Sequence, residues 1–144
     1  MEKNNDFLLE VKNLKKWFPT QHGLSALFLK EKTYVRAVDG ISFSVKRGET
    51  FCIIGESGSG KTTTGKMIMR LLEPTDGDII FNGKNVSHIK GDELKEYRRN
   101  VQMIFQDPYA SMNPRFKIKQ VLAEPLVIHK IGDSKKYRHE NSKK

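Results

Sequence analysis

The residues best suited to chemistry run from Gly55 to Thr62 and read Gly-Glu-Ser-Gly-Ser-Gly-Lys-Thr. This spacing is typical of a phosphate-binding P-loop. Glycines let backbone N–H groups approach an anion closely, and a following helix adds its positive N-terminal end. We expect Lys61 to reach the β- and γ-phosphates of a nucleotide, and the Thr62 hydroxyl to ligate Mg²⁺. The predicted contact set is Gly55, Glu56, Ser57, Gly58, Ser59, Gly60, Lys61, Thr62 and Thr63.

Such a loop must be held between a strand and a helix. Residues 50–54 are almost continuously apolar, which is typical of a strand buried on both faces. Residues 63–72 have helical character. Residues 101–105 form a second apolar run that predicts another buried strand, and this strand ends at Gln106. The motif by itself leaves open whether the protein is an ATPase, a GTPase or a kinase.

The remaining chain predicts further short elements. Alternating residues indicate strands at 8–14, 34–38 and 41–45, and Asn82-Gly83 predicts a hairpin between 78–81 and 84–86. Residues 93–100 predict a charged helix, and residues 118–126 a short helix interrupted by Pro125. Residues 20–32 predict an inserted loop.

Composition limits the class of protein. A length of 144 residues fits one domain, with 37% hydrophobic and 30% charged residues. No apolar run approaches a membrane span, the N-terminus does not resemble a secretory signal, and Cys52 is expected to be a buried hydrophobe. The formal net charge is +9, but part of this excess lies in residues 129–144. We therefore expect a solvated basic surface and no nucleic-acid partner.

The order of these elements, with Phe105-Gln106-Asp107-Pro108 after the second buried strand, resembles the ATPase subunits of ABC transporters. The stretch from Gln106 to Arg115 is similar to the ATPases of bacterial oligopeptide and dipeptide importers, as is Lys15-Lys16-Trp17-Phe18-Pro19. The resemblance implies an α/β fold, a P-loop NTPase core with an N-terminal antiparallel β subdomain, incomplete at the C-terminus. Residues 1–128 would hold these parts, and residues 129–144 would begin the helical subdomain.

The resemblance also implies roles for particular residues. Gln106 would be the Q-loop glutamine, which contacts Mg²⁺ and the attacking water. Phe18 would stack on adenine, with Trp17 and Tyr34 as competitors for that role. The segment from Gln106 to Arg115 would contact the permease. The implied partners are ATP, a second ATPase subunit and membrane permease subunits, and the implied location is the cytoplasmic face of the membrane. The implied cargo is peptides, with nickel as an alternative.

The departures from the family pattern are equally specific. The signature sequence, the acidic strand end, the catalytic glutamate and the switch histidine have no match in these 144 residues. We therefore expect the N-terminal part of a longer protein that binds ATP–Mg²⁺ and hydrolyses it barely at all. The alternatives are another P-loop enzyme, such as a small-molecule kinase or GTPase, and a non-enzymatic basic interaction fragment.

Overall fold

The computed structural model describes residues 6–20, 33–106, 113 and 115–129. The chain divides into two compact units, Met1–Arg98 and Arg99–Lys144. The helices and strands in chain order are β1 (Phe7–Pro19), β2 (Tyr34–Lys46), α1 (Lys61–Ile68), β3 (Asp76–Phe81), β4 (Lys84–Asn85), α2 (Gly91–Asn100) and α3 (Ile118–Ile128). The inserted loop predicted at 20–32 lies almost wholly outside the described residues. The predicted boundary between residues 128 and 129 stays a prediction.

The four strands form one antiparallel sheet in the order β2-β1-β3-β4. This sheet is the N-terminal antiparallel β part that the sequence predicted. Strand β1 is longer than expected and continues to Pro19, which pairs with Tyr34 at the end of the ladder. Proline is tolerated there because a strand end requires no further N–H donor.

Strand β2 is continuous where the sequence predicted two strands and a turn. Gly40 lies inside it with φ of 85°, and the pairing with β1 shifts register between Leu14 and Lys15. A glycine in this conformation allows the strand to carry an irregularity without ending. A further irregularity between Val11 and Leu14, with Asn13 at φ of 46°, exposes Asn13 and buries Leu14 completely.

The two segments predicted as buried strands are not strands in the structure. Residues 50–54 and 101–105 pair with no described strand, and Ile54 and Ile104 are each 93% exposed. Cys52, expected to be buried, is exposed as well. Both segments are apolar, but a strand also needs a neighbouring strand whose backbone completes its hydrogen bonds. No described strand supplies that pairing.

Helix α1 starts and ends two to four residues earlier than predicted. It begins at Lys61 and ends at Ile68, where Met69 is the C-cap and Arg70 follows with φ of 54°. A residue in this left-handed conformation ends a helix. Met67 on α1 is fully buried, as are Leu14 of β1 and Ile79 of β3.

In the second unit, α3 runs through Pro125 without interruption. Several of its apolar side chains are exposed, including Ile118 at 79% and Leu122 at 69%. In the part of the chain that the structure describes, no helix is both long and apolar enough to cross a membrane.

Candidate phosphate-binding site

The predicted P-loop leads directly into the N-terminus of α1. Gly60 is the N-cap residue of α1 with φ of 90°, and Gly58 has φ of 84°. The backbone and hydroxyl of Thr64 both donate to the Gly60 carbonyl, at 2.8 and 3.0 Å. The first N–H groups of a helix have no partner inside it, and the described first turn of α1 contains no acidic residue. This end of α1 therefore keeps its positive character, which favours an anion.

Gly60 packs directly against β2. A Cβ atom at this position would lie 2.4 Å from the Ala37 carbonyl oxygen and 3.3 Å from Val38 Cγ2. A Cβ atom at Gly55 would lie 2.6 Å from Ser59 Oγ. Glycine is thus required at Gly60, where a side chain would meet the fixed backbone of β2, whereas at Gly55 a side chain would displace the Ser59 hydroxyl.

The Lys61 ammonium lies within its own loop. Its Nζ atom donates to the Gly55 carbonyl at 2.7 Å, to the Glu56 carbonyl at 2.6 Å and to Ser59 Oγ at 3.3 Å. The loop therefore curls around a positive charge, with a turn closed from Ser59 N–H to the Glu56 carbonyl at 3.2 Å. An incoming phosphate would compete with these oxygens for the ammonium, and its negative charge makes it the stronger acceptor.

The described side chains of the loop supply part of what a nucleotide with bound Mg²⁺ needs. Thr62, the predicted Mg²⁺ ligand, is exposed at the start of α1, and Thr63 is half-buried beside it. Among the described residues no cluster of three or more His, Cys, Asp or Glu side chains could hold a metal by itself. A magnesium ion usually keeps several waters and binds through few protein groups plus substrate phosphates, so one hydroxyl is compatible with it.

The side chains predicted to stack on adenine differ in how far their rings already make contacts within the protein. The Trp17 ring already carries the Arg36 guanidinium at 4.8 Å and Lys15 Nζ at 5.8 Å, and its indole N–H donates to Asp39 at 3.0 Å. Phe18 is 37% exposed, with Lys16 Nζ 5.2 Å from its ring centroid. The internal contacts of Trp17 favour Phe18 over it, and the assignment of Phe18 stays a prediction.

Tyr34, the other competitor, lies at the start of β2 and is 45% exposed. Its ring centroid lies 6.4 Å from that of Trp17, with the planes tilted by 51°. The exposed fractions of Tyr34 and Phe18 therefore do not decide which of the two stacks on adenine.

The predicted Q-loop residue, Gln106, belongs to the second unit. It follows residues 101–105 and is exposed. Of the segment from Gln106 to Arg115 predicted to contact the permease, residues 107–112 and 114 lie outside the described residues. The roles of Gln106 and of this segment stay predictions.

Two contacts at the end of α1 opposite the phosphate loop were not predicted from the sequence. Tyr97 and Arg98 of α2 donate hydrogen bonds to the Ile68 and Arg70 carbonyls at the C-terminal end of α1. The sequence predicted a helix over residues 93–100, but its pattern does not reveal which acceptors Tyr97 and Arg98 bind.

Burial shifts the pKa values of two side chains here. It raises the pKa of Tyr97 to about 12, so the phenol stays protonated at neutral pH. It lowers the pKa of Arg70, whose charge is also repelled by Arg98 and attracted by Glu73. The pKa of Glu73 is lowered chiefly by its hydrogen bond with His88.

A glycine loop with left-handed residues that curls around a lysine and leads into a helix has the geometry of a P-loop. The family model described as ABC transporter matches residues 38–143. The chain belongs to the ABC transporter family. This confirms the resemblance found in the sequence and favours an ABC ATPase over a small-molecule kinase or a GTPase.

The chain also matches individual proteins that carry functional names. The chain is 49% identical to the oligopeptide transport ATP-binding protein OppF of Bacillus subtilis, over 91% of this chain and 40% of that protein. It is 45% identical to AppF of the same organism, also named an oligopeptide transport ATP-binding protein, over 89% of this chain and 38% of that protein. The glutathione import ATP-binding protein GsiA of Salmonella typhimurium is 45% identical over 87% of this chain and 20% of that protein. The chain thus spans about two fifths of the two oligopeptide relatives.

Solved structures agree on the fold. A dimeric ATP-binding cassette in a post-hydrolysis state, bound to ADP and Pi, matches with a TM-score of 0.65 and 26% identity. The match covers 91% of this chain and 53% of that one. A dimeric bacterial ABC transporter cassette matches with a TM-score of 0.66 and the same identity and coverage. The fold therefore corresponds to a part of the ABC ATPase cassette, in agreement with the predicted fold class.

Proposed function

We propose that this chain is the nucleotide-binding part of an ABC importer ATPase subunit and that it binds ATP with Mg²⁺. The observation that carries the proposal is the loop from Gly55 to Lys61, which curls around the lysine ammonium and continues into the positive end of α1. The names of the relatives, together with the dimeric cassette bound to ADP and Pi, support a nucleotide as the anion.

Each residue of the site has a defined task in this proposal. The loop N–H groups surround the β-phosphate, and Lys61 exchanges the Gly55 and Glu56 carbonyls for phosphate oxygens. Thr62 places its hydroxyl where Mg²⁺ binds, and Phe18 stacks on adenine. When bound, Mg²⁺ neutralises phosphate charge. Gln106 reports the nucleotide state to a permease.

The wider assembly is proposed on the same basis. The partners are a second ATPase subunit and permease subunits at the cytoplasmic face of the membrane. The cargo is peptides, because two of the matched relatives are named for oligopeptide transport. Hydrolysis also needs an aligned water and further acidic groups that these 144 residues do not supply at recognisable positions. We therefore expect ATP binding without appreciable turnover by this chain.

The test is a titration of the purified chain with a fluorescent ATP analogue in Mg²⁺. Lys61→Ala removes a charged donor of the site and is expected to weaken binding by about tenfold or more. Lys66→Ala removes the same charge from the last turn of the same helix and is expected to bind like the parent chain. Equal affinities of the parent chain and Lys61→Ala would contradict the phosphate role of the loop. Mg²⁺-dependent phosphate release that Lys61→Ala abolishes would contradict the expected lack of turnover.

A further inference from the structure

The C-terminal end of α1 is held by two donors from α2. The Tyr97 hydroxyl donates to the Ile68 carbonyl at 2.5 Å, and Arg98 Nη2 donates to the Arg70 carbonyl at 2.6 Å. The last carbonyls of a helix lack partners inside it and form its negative end. The Gly65, Lys66 and Met67 carbonyls accept from the backbone N–H groups of residues 69–72, and the Tyr97 phenol satisfies the Ile68 carbonyl. The Arg98 guanidinium binds the Arg70 carbonyl just past the helix end, where its charge offsets the negative end of the helix.

Tyr97 is fixed from a second side. Its ring packs edge-on against Phe81 of β3, with centroids 5.4 Å apart and an angle of 80° between the planes. The side chain is buried, with only 4% of the residue exposed. Tyr97 therefore joins the sheet to the C-terminal end of α1 through one rigid ring, whose hydroxyl donates to the Ile68 carbonyl.

Helix α1 is short enough for this contact to act on the phosphate loop. Its eight residues span about 12 Å at the usual rise per residue. Lys61 is its first residue, and the opposite end of the helix is the one that Tyr97 and Arg98 hold. At the first end Gly60 rests on Ala37 of β2. Because Gly60 is held against the sheet, a displacement of the C-terminal end of α1 would turn the helix about Gly60 and change the direction in which Lys61 and the adjoining amides point.

The arrangement around Arg70 is costly for stability. Arg70 has φ of 54°, a conformation that side chains other than glycine adopt with strain. Among the described residues its Nε and Nη1 atoms, and Nε of Arg98, are buried without a hydrogen-bond partner. A strained residue of this kind persists where the surrounding structure holds it in place.

We propose that Tyr97 and Arg98 are positioning residues for the phosphate loop, holding α1 at the angle at which Lys61 and the loop amides meet the nucleotide. The proposal rests on the proposed nucleotide binding. It assigns to α2 a part in nucleotide affinity although α2 contributes no residue to the loop.

The test compares ATP affinity in the presence of Mg²⁺ between the parent chain and matched variants. Tyr97→Phe removes only the hydroxyl, and Arg98→Met removes the charge. Each is expected to weaken ATP binding by about fivefold, the effect of losing one hydrogen bond. Arg98→Lys is expected to recover part of the loss. The control is Val11→Ala, which removes methyl groups from a side chain that is 1% exposed in β1 and leaves the hydrogen bonds of Tyr97 and Arg98 in place.

A second readout does not depend on nucleotide. The backbone amide signals of Gly58, Gly60 and Lys61 are expected to shift in the NMR spectrum of Tyr97→Phe and to stay in place in Val11→Ala. Unchanged loop signals in folded Tyr97→Phe would overturn the proposal. So would an ATP affinity that falls no further in Tyr97→Phe than in Val11→Ala. If the parent chain binds no ATP, the proposed function fails, and the amide shifts still decide whether Tyr97 positions the loop.

Discussion

Two glycines of the phosphate loop have nearly the same backbone conformation and very different surroundings. A Cβ atom added at Gly58, with φ of 84°, would meet no other atom within 4 Å. A Cβ atom added at Gly60, with φ of 90°, would lie 2.4 Å from the Ala37 carbonyl oxygen. Alanine at either site costs about 1–2 kcal/mol because of the left-handed conformation. At Gly60 the overlap with fixed backbone adds about 1–3 kcal/mol.

The assay is urea unfolding followed by the fluorescence of Trp17, the only tryptophan, which lies in β1 opposite Arg36 of β2. Gly58→Ala is expected to lower the free energy of unfolding by about 1–2 kcal/mol and Gly60→Ala by about 2–5 kcal/mol, with little change in slope. The Gly60 variant is also expected to lose ATP affinity, because the loop must leave β2. Equal losses of stability in the two variants would refute the conclusion that Gly60 is held against the sheet.

Two further predictions concern the sheet that carries the site. Ile79→Ala, at a fully buried position, is expected to lower the free energy of unfolding by about 2–5 kcal/mol; Val35→Ala, at a position 56% exposed, is the control expected to have little effect in the same urea titration. Asp76 accepts a hydrogen bond from Lys15 at 2.8 Å, which is the main cause of its lowered pKa. Its stabilising contribution is therefore complete above the ordinary value of 3.8 and is lost as pH falls through the lower folded value. Asp76→Asn is expected to remove this acid-dependent component from urea midpoints measured across that range, and an unchanged pH dependence would contradict it.

The loop and the antiparallel strands could be predicted because their signals are local. The spacing of Gly55, Gly60, Lys61 and Thr62 requires one backbone path, and the left-handed φ of Gly60 agrees with it. The strand patterns located β1 and β2, but they made β1 too short and divided β2 into two strands with a turn between them. The register shifts beside Asn13 depend on how β1 pairs with its neighbouring strands. The sequence of one strand alone does not specify that pairing.

The buried strands at 50–54 and 101–105 show the opposite case. Their apolar patterns predicted burial as a tendency, yet Ile54 and Ile104 are almost fully exposed. A segment becomes a strand only when a neighbour accepts and donates its backbone hydrogen bonds. The sequence of the segment shows its own preference for the strand conformation. It does not show whether a neighbouring strand is present to pair with it.

The sequence by itself determined the chemistry of the loop, since glycines that turn the backbone, a lysine and a hydroxyl at fixed spacing permit few ligands besides a phosphate. The tertiary structure decided how the loop is held: Gly60 against Ala37, and the far end of α1 by Tyr97 and Arg98. Residues nearly thirty positions apart meet there. Such contacts depend on how helices and strands pack, and no pattern along the chain records that packing.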